Sequence, residues 1–391
     1  MKNKRIRSID IFRALTMFFM IFVNDLWSLT GVPEWLEHAA VNEDRMGFSD
    51  IIFPLFLFIV GLSIPLAVRT RLKKGTSHWS ILKHIILRTV ALLTMGFYMV
   101  NFEMIYDDAM PINKHVWEIL MALAICLIWL DYKGLTSLNR QAQNIIQAIG
   151  VLLLIFLAAI YKGGSAEDIV WMRTSWWGIL GLIGWAYFLN SIIYLLFQKI
   201  WPYLFLVFLL LLFMNIQENG YYEHIPSITF IISASNYALV MAGVLCTCAF
   251  LHFRKKEKES HFLKIVLGAG ILFIIYGFML RELFPISKIK ATPTWSTLCI
   301  GIGYVLYVCF YILIDKLNIF KWADPFKPAG TSTLTCYLMP YFIYPIIILI
   351  GFNWPSMMTH GIAGIIKSLL FSFVIILFVG WMEKRGFRLK I

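Results

Sequence analysis

Long apolar runs dominate the chain, and each comes close to the length that a helix needs to cross a bilayer. About 30 Å of hydrocarbon takes roughly 20 mostly apolar residues in helical form. Candidate spans lie at 11–29, 50–68, 81–100, 115–131, 144–161 and 175–197, then at 202–216, 235–253, 262–281, 295–314, 331–351 and 361–382. Only closed helices or barrels satisfy the backbone in lipid, and these runs are too long for barrel strands. The expectation is therefore all-α: a polytopic transmembrane helix bundle of about twelve spans. Segment 202–216 is short, and the Tyr221–Ser235 stretch after it reads either as a loop or as a dip into the membrane. Composition agrees, with 60% hydrophobic and 14% charged residues, where a soluble domain carries about 45–50% and about 25%. No linker or repeat divides the chain, so a single integral membrane domain over residues 1–391 is expected.

The formal charge of +12 would raise nucleic acid as a partner in a soluble chain. Here the basic residues fall in short runs between apolar stretches, which fits a bilayer and no nucleic acid. The clusters are Lys2-Lys4-Arg5-Arg7, Arg69-Arg71-Lys73-Lys74, Arg254-Lys255-Lys256-Lys258 and Lys384-Arg385-Arg388-Lys390. With the N-terminus cytoplasmic, 26 Lys/Arg fall on inside segments and 8 elsewhere, whereas acidic residues divide 7 inside to 15 outside. The positive-inside rule then places both termini in the cytoplasm. Each cluster reads first as a topology determinant, and second as a contact for anionic lipid or a phosphorylated cofactor. The first span is not read as a cleaved signal peptide, because Asn24 and Asp25 interrupt it and no small-residue cleavage site follows. The six cysteines lie in or beside apolar spans; Cys246 and Cys248 point to different helix faces, and no metal site is expected.

Polar side chains at membrane depth are functional candidates. Asp10 and Arg13, three residues apart, can pair on one helix face at the cytoplasmic mouth of the first span. They read as a helix-start ion pair, or as part of a site in which Arg13 holds an anionic cofactor. At the far end of that span, Asn24 and Asp25 are costly unless they line a polar cavity. His38 follows in the first outer loop, beside the carboxylates Glu34 and Glu37. Asp50 opens the second span, where a carboxylate favours the helix N-terminus. The short loop keeps Asn24, His38 and Asp50 at one outer mouth.

These residues resemble a known family. The run Arg7-Ser8-Ile9-Asp10-Ile11-Phe12-Arg13, then Met20-Ile21-Phe22-Val23-Asn24 and His38-Ala39, is similar to a signature of the heparan-alpha-glucosaminide N-acetyltransferase family and its bacterial relatives. Gly47-Phe48-Ser49-Asp50-Ile51-Ile52-Phe53-Pro54 and Phe56-Leu57-Phe58-Ile59-Val60-Gly61 continue it. The best-matched region is about 5–75. Pro285-Ile286-Ser287-Lys288 resembles a Pro-Ile-Asn-Lys motif before a span, with Ser287 in place of Asn. Where the lysosomal enzyme has an Arg-rich Gln-Arg-Leu-Gly stretch, this chain reads His115-Val116-Trp117-Glu118. The resemblance implies a core of about ten helices and a membrane acyltransferase that moves an acetyl group from cytoplasmic acetyl-CoA to an amino sugar or glycan. It further implies that His38 is the active-site histidine with Asn24 close by, that the membrane is a bacterial plasma membrane, and that a homodimer is possible.

Acyl transfer needs a base, donors for the tetrahedral oxyanion and a dry, oriented site. Histidine ordinarily titrates near working pH, so His38 suits the base, or else carries the acetyl group covalently. Asp50 either orients the imidazole or caps its helix. Asn24 can donate to the oxyanion. Lys288 is a solvated loop lysine, or holds a phosphate or an acidic acceptor, while Arg13 meets the nucleotide of CoA. The outer aromatics Trp35, Tyr221, Tyr222 and Trp354 read as an interfacial belt or as a platform for sugar rings. The competing class is a secondary transporter, which favours broken helices near the midplane and repeated halves. Here the polar cluster lies at one outer mouth, and no repeat is visible.

Overall fold

A computed structural model describes residues 6–134, 139–220 and 231–391. Most of the Tyr221–Ser235 stretch, with Tyr221 and Tyr222, lies outside the described residues. The protein is helical almost throughout. In chain order come α1 (Arg7–Asp25), α2 (Ser49–Lys73), α3 (His78–Glu103), α4 (Lys114–Trp129), α5 (Arg140–Ala159), α6 (Gly178–Phe197) and α7 (Trp201–Glu218). There follow α8 (Ala234–Lys255), α9 (Glu259–Leu280), α10 (Pro293–Phe310), the short α11 (Lys327–Thr331) and α12 (Thr333–Leu338), α13 (Pro340–Leu349) and α14 (Gly361–Lys384). A two-residue hairpin pairs Gly163–Gly164 with Ile169–Val170.

Each of the twelve apolar runs is largely helical. Among the described residues, nine helices are long and apolar enough to cross a membrane, and the bent pair Lys321–Thr331 and Thr333–Leu349, kinked by 75°, makes a tenth if taken as one span. Two runs fall short for identifiable reasons. Helix α4 has only 16 residues, and α1 carries Arg7, Asp10, Arg13 and Asp25. Lipid-facing character is plain on α5, where Ile145, Leu152 and Ile155 are exposed, and on α9, where Leu272 and Met279 are exposed.

The chain divides into two compact units, each assembled from separated segments: Met1–Thr16, Pro33–Val90 and Leu182–Asp324 in the first, Met17–Val32, Ala91–Gly181 and Pro325–Ile391 in the second. In the first unit α2 is the buried post. It packs closely on α8, because a Cβ on Gly61 would stand 2.0 Å from the Val240 carbonyl oxygen and one on Gly243 would stand 2.1 Å from that of Phe58. Small residues let membrane helices approach at backbone distance. Pro54, the sixth residue of α2, cannot donate to the Asp50 carbonyl four residues back. The freed carbonyl accepts instead from the indole N–H of Trp295, at 3.2 Å, so no buried acceptor is stranded. The start of α1 is capped from the same unit: the Arg7 and Ser8 backbone N–H groups each donate to Asp315 at 3.0 Å. A carboxylate there opposes the positive end of the helix dipole.

Candidate active site

The residues 33–48 that carry His38 form a loop stitched to the start of α2. Phe48 N–H donates to the Trp35 carbonyl at 2.7 Å, and the Ser49 hydroxyl donates to the Leu36 carbonyl at 2.6 Å. Gly47 is needed at the crossing, because a Cβ would fall 1.8 Å from the Glu37 carbonyl oxygen. The loop therefore folds back on itself, and His38 meets Asp50 twelve residues later.

Asp50 lies at the centre of the cluster, with its side chain 2% exposed. One carboxylate oxygen accepts from His38 Nδ1 at 2.6 Å. The other accepts from the backbone N–H groups of Ala39, at 3.0 Å, and Gly47, at 3.1 Å. Asp50 thus braces the loop and the ring together, and each such bond to an ionised group is worth about 1.5–3 kcal/mol. The His38 side chain is 47% exposed, so its other face opens outward.

Lys288 enters from the loop between α9 and α10. Its Nζ is 3.3 Å from His38 Nδ1 and 4.0 Å from the Asp50 carboxylate. An ammonium only donates, and a carboxylate only accepts. The 2.6 Å contact therefore places the proton on Nδ1, directed at Asp50, and Lys288 cannot also donate to that nitrogen. Its attraction is to the carboxylate. Burial pushes the Lys288 ammonium below the usual lysine range, and the Asp50 charge offsets part of that shift. With the proton on Nδ1, the neutral ring presents Nε2 as an acceptor, the form that a general base requires.

The same two loops are tied at a second point. Asp44 accepts from the Ile286 backbone N–H at 2.6 Å and from Arg281 Nε at 2.9 Å. Its carboxyl is held below the usual carboxylate range: partial burial opposes the shift, but the Ile286 amide and the Arg281 guanidinium outweigh it. Sequence reasoning missed Asp44 and Trp295, whose partners lie 242 and 245 residues away.

Asp10 and Arg13 stand apart from this cluster. Arg13 pairs with Asp10 at 3.3 Å, and its second nitrogen donates to the Ser63 hydroxyl at 2.8 Å. Ser63 is thirteen residues beyond Asp50 on α2, about 20 Å along the axis at 1.5 Å per residue. Asp10 and Arg13 therefore belong to a separate site on the same helix. Asn24 lies in the second unit, exposed on the last turn of α1. Asp25 beside it is buried and ion-paired to Lys367 at 2.9 Å; no local sequence signal announces that partner. Among the described residues no group of three or more His, Cys, Asp or Glu is placed to hold a metal ion, and all six cysteines are free thiols.

Helical spans and a half-exposed imidazole backed by a buried carboxylate define a polytopic membrane protein with acid–base potential at a helix mouth. Its family is that of a domain of unknown function, DUF5009, whose model matches residues 5–237, and the chain belongs to it. It is also similar to heparan-alpha-glucosaminide N-acetyltransferase of Homo sapiens, 36% identical over 98 residues, and to that of Mus musculus, 35% identical over 98 residues. Those 98 residues are 25% of this chain and 14% of either relative.

Proposed function

We propose that the chain is a membrane acyltransferase that moves an acetyl group from acetyl-CoA to an amino sugar or glycan acceptor, with His38 as general base. The observation that carries this reading is the 2.6 Å bond from His38 Nδ1 to Asp50, which leaves Nε2 free to take a proton. The similarity to a named N-acetyltransferase supports the choice of acyl group and of acceptor class. The protein sits in a bacterial plasma membrane with both termini cytoplasmic, and the outer mouth that holds His38 receives the acceptor.

The acceptor amine or hydroxyl gives its proton to Nε2 as it attacks the thioester carbonyl of acetyl-CoA. The imidazolium that forms faces the Asp50 carboxylate, which stabilises it. The tetrahedral intermediate then expels the CoA thiolate, and the proton on Nε2 passes to that sulfur. Lys288, a cation beside the ring, offsets the negative charge of the intermediate. Arg13 holds the phosphorylated end of acetyl-CoA, so the donor lies extended along α2 from Ser63 to Asp50.

One observation favours a second reading. The 75° break between Thr331 and Thr333 is the kind of discontinuous helix on which secondary transporters build their sites. The test is acetyl transfer from labelled acetyl-CoA to glucosamine by reconstituted protein, native and His38→Ala. Removing a general base costs about 10²–10⁴-fold in turnover. Label on the acceptor with the native chain and not with the variant supports the acyltransferase. No transfer, together with no thermal stabilisation by CoA, would shift the reading to a transporter.

A further inference from the structure

A groove lies on the side of the first unit, between the C-terminal halves of α7 and α9 and the first turns of α10. Its volume is about 400 Å³, in the range of sites that take small molecules, which are mostly apolar with a few placed polar groups. Leu209 and Phe213 form one wall, and Leu272 and Tyr276 the other. All four are exposed, so the groove is continuous with the lipid-facing surface of α9. Two further lining residues, Asn215 and Ser296, are polar and buried.

Polar side chains at membrane depth are functional candidates, and these two serve the neighbouring loop. The Ser296 hydroxyl donates to Asn215 Oδ1 at 2.8 Å, and Asn215 Nδ2 donates to the Ala291 carbonyl at 2.8 Å. Helix α7 thereby holds the loop between α9 and α10 from the groove side. Ala291 has a φ of 50°, a left-handed conformation that a residue with a Cβ keeps only when its surroundings enforce it. The Thr292 N–H closes the same turn on the Ser287 carbonyl at 3.1 Å. Lys288 leaves from this turn toward His38. With its polar groups already bonded, the groove offers an occupant apolar surface.

Helix α10 is the wall between the groove and the candidate active site. Pro293 and Ser296 of its first turn line the groove, whereas Trp295 of the same turn donates to the Asp50 carbonyl. A helix with its side chains is about 10–12 Å across, so the two sites stand about one helix width apart. Lipid tails are as apolar as leucine, so a hydrocarbon chain gains little by leaving the bilayer for a groove. What it gains is position. A head group tethered there meets the imidazole at a raised effective concentration.

We propose that the acceptor is lipid-linked: an amino sugar or glycan on a hydrocarbon chain, with the chain in the groove between α7, α9 and α10 and the sugar at His38. The inference rests on the acyltransferase reading and names its acceptor. A free sugar arriving from water uses none of the groove.

The test compares dodecyl glucosaminide with free glucosamine as acceptors for labelled acetyl-CoA, with the full chain in proteoliposomes. The readout is the ratio of kcat/KM for the two acceptors on one preparation, so that any loss of folded protein cancels. Partition of the dodecyl probe into the bilayer raises that ratio equally in every variant. Leu272→Trp and Ile216→Trp each fill the groove, and either suffices if the other fails to accumulate. Ile265→Trp, exposed on α9 outside the groove, is the control. One methylene in an apolar pocket is worth about 10–200-fold in discrimination. The groove-filling variants should therefore lower the ratio about 10-fold or more, with the control at the native value. A diazirine on the last carbon of the dodecyl chain should label α7, α9 and α10 beside the groove. An unchanged ratio in the groove-filling variants, or labelling as dense on the lipid-facing side of α5, overturns the lipid-linked acceptor and leaves acetyl transfer to glucosamine standing. A native chain that acetylates neither acceptor overturns the acyltransferase reading, and this inference with it.

Discussion

Replacing Asp50 by Asn tests the site by one atom. The carboxylate accepts from His38 on one oxygen and from the Ala39 and Gly47 amides on the other. Asparagine has a single acceptor oxygen and must choose. If that oxygen faces His38, the new NH2 group confronts two backbone donors and strands them, at about 1–3 kcal/mol each. If it faces the amides, the NH2 group confronts Nδ1, and the imidazole adapts by moving its proton to Nε2. The second arrangement is cheaper, so the fold survives but the base nitrogen is already protonated. In a serine protease, the corresponding change keeps the geometry and lowers kcat about 10⁴-fold through the wrong tautomer. General-base catalysis overall is worth about 10²–10⁴-fold, or about 2.7–5.4 kcal/mol at 1.36 kcal/mol per decade. The half-exposed His38 should lie toward the lower end. The assay is acetyl transfer to glucosamine, with thermal unfolding as the fold control and nitrogen-15 NMR of His38 as the tautomer readout. Turnover within about threefold of native would refute the orienting role of Asp50. Lost turnover with the proton still on Nδ1 would refute the tautomer argument.

Further predictions follow from the same geometry. Lys288→Met removes a cation 3.3 Å from the imidazole and with it the charge that offsets the tetrahedral intermediate, so kcat falls while KM for acetyl-CoA stays near native. Burial depresses the Lys288 ammonium below 10.5, so the native profile also falls off below that pH as the cation is lost, and the variant lacks that limb. Arg13→Ala raises KM for acetyl-CoA, leaves kcat within about threefold, and weakens thermal stabilisation by CoA, because lost uniform binding appears in KM alone. Gly47→Ala drives a Cβ into the Glu37 carbonyl; overpacking of this kind costs about 1–3 kcal/mol, read as a lower unfolding temperature with a fall in kcat through the Asp50 brace.

Much of the fold was legible because a bilayer writes its requirement locally: each run of about 20 apolar residues is largely helical. The departures are equally physical. Helix α1 gives up apolarity to Asp10, Arg13 and Asp25, and the run at 331–351 opens on a break at Ser332, between Lys321–Thr331 and Thr333–Leu349. The link from His38 to Asp50 was within reach, since the two lie twelve residues apart and a helix N-terminus favours a carboxylate. What could not be read were pairings across the chain. Lys288 looked like a loop lysine suited to a phosphate, yet it stands beside an imidazole 250 residues earlier. Asp25 looked like an unpaired cost until Lys367, 342 residues later, was placed beside it. Periodicity and motif spacing carry no information at such separations.

Helix α2 explains why one apolar post can carry two polar sites. Its first turn holds Asp50 and its later turns hold Ser63, the Arg13 contact, while Gly61 clamps the intervening stretch to α8. Because a helix is a rod of fixed rise, the separation of about 20 Å between the two sites is set by thirteen residues of sequence. Close backbone packing on α8 keeps that rod from sliding. A donor that is anionic at one end and reactive at the other is well matched by such a ruler. On the proposed reading charge is recognised at Arg13 and acid–base chemistry is held at His38, so an error in either leaves the other intact. That separability is why Arg13→Ala should act on KM and Asp50→Asn on kcat, and why both variants together should multiply their effects.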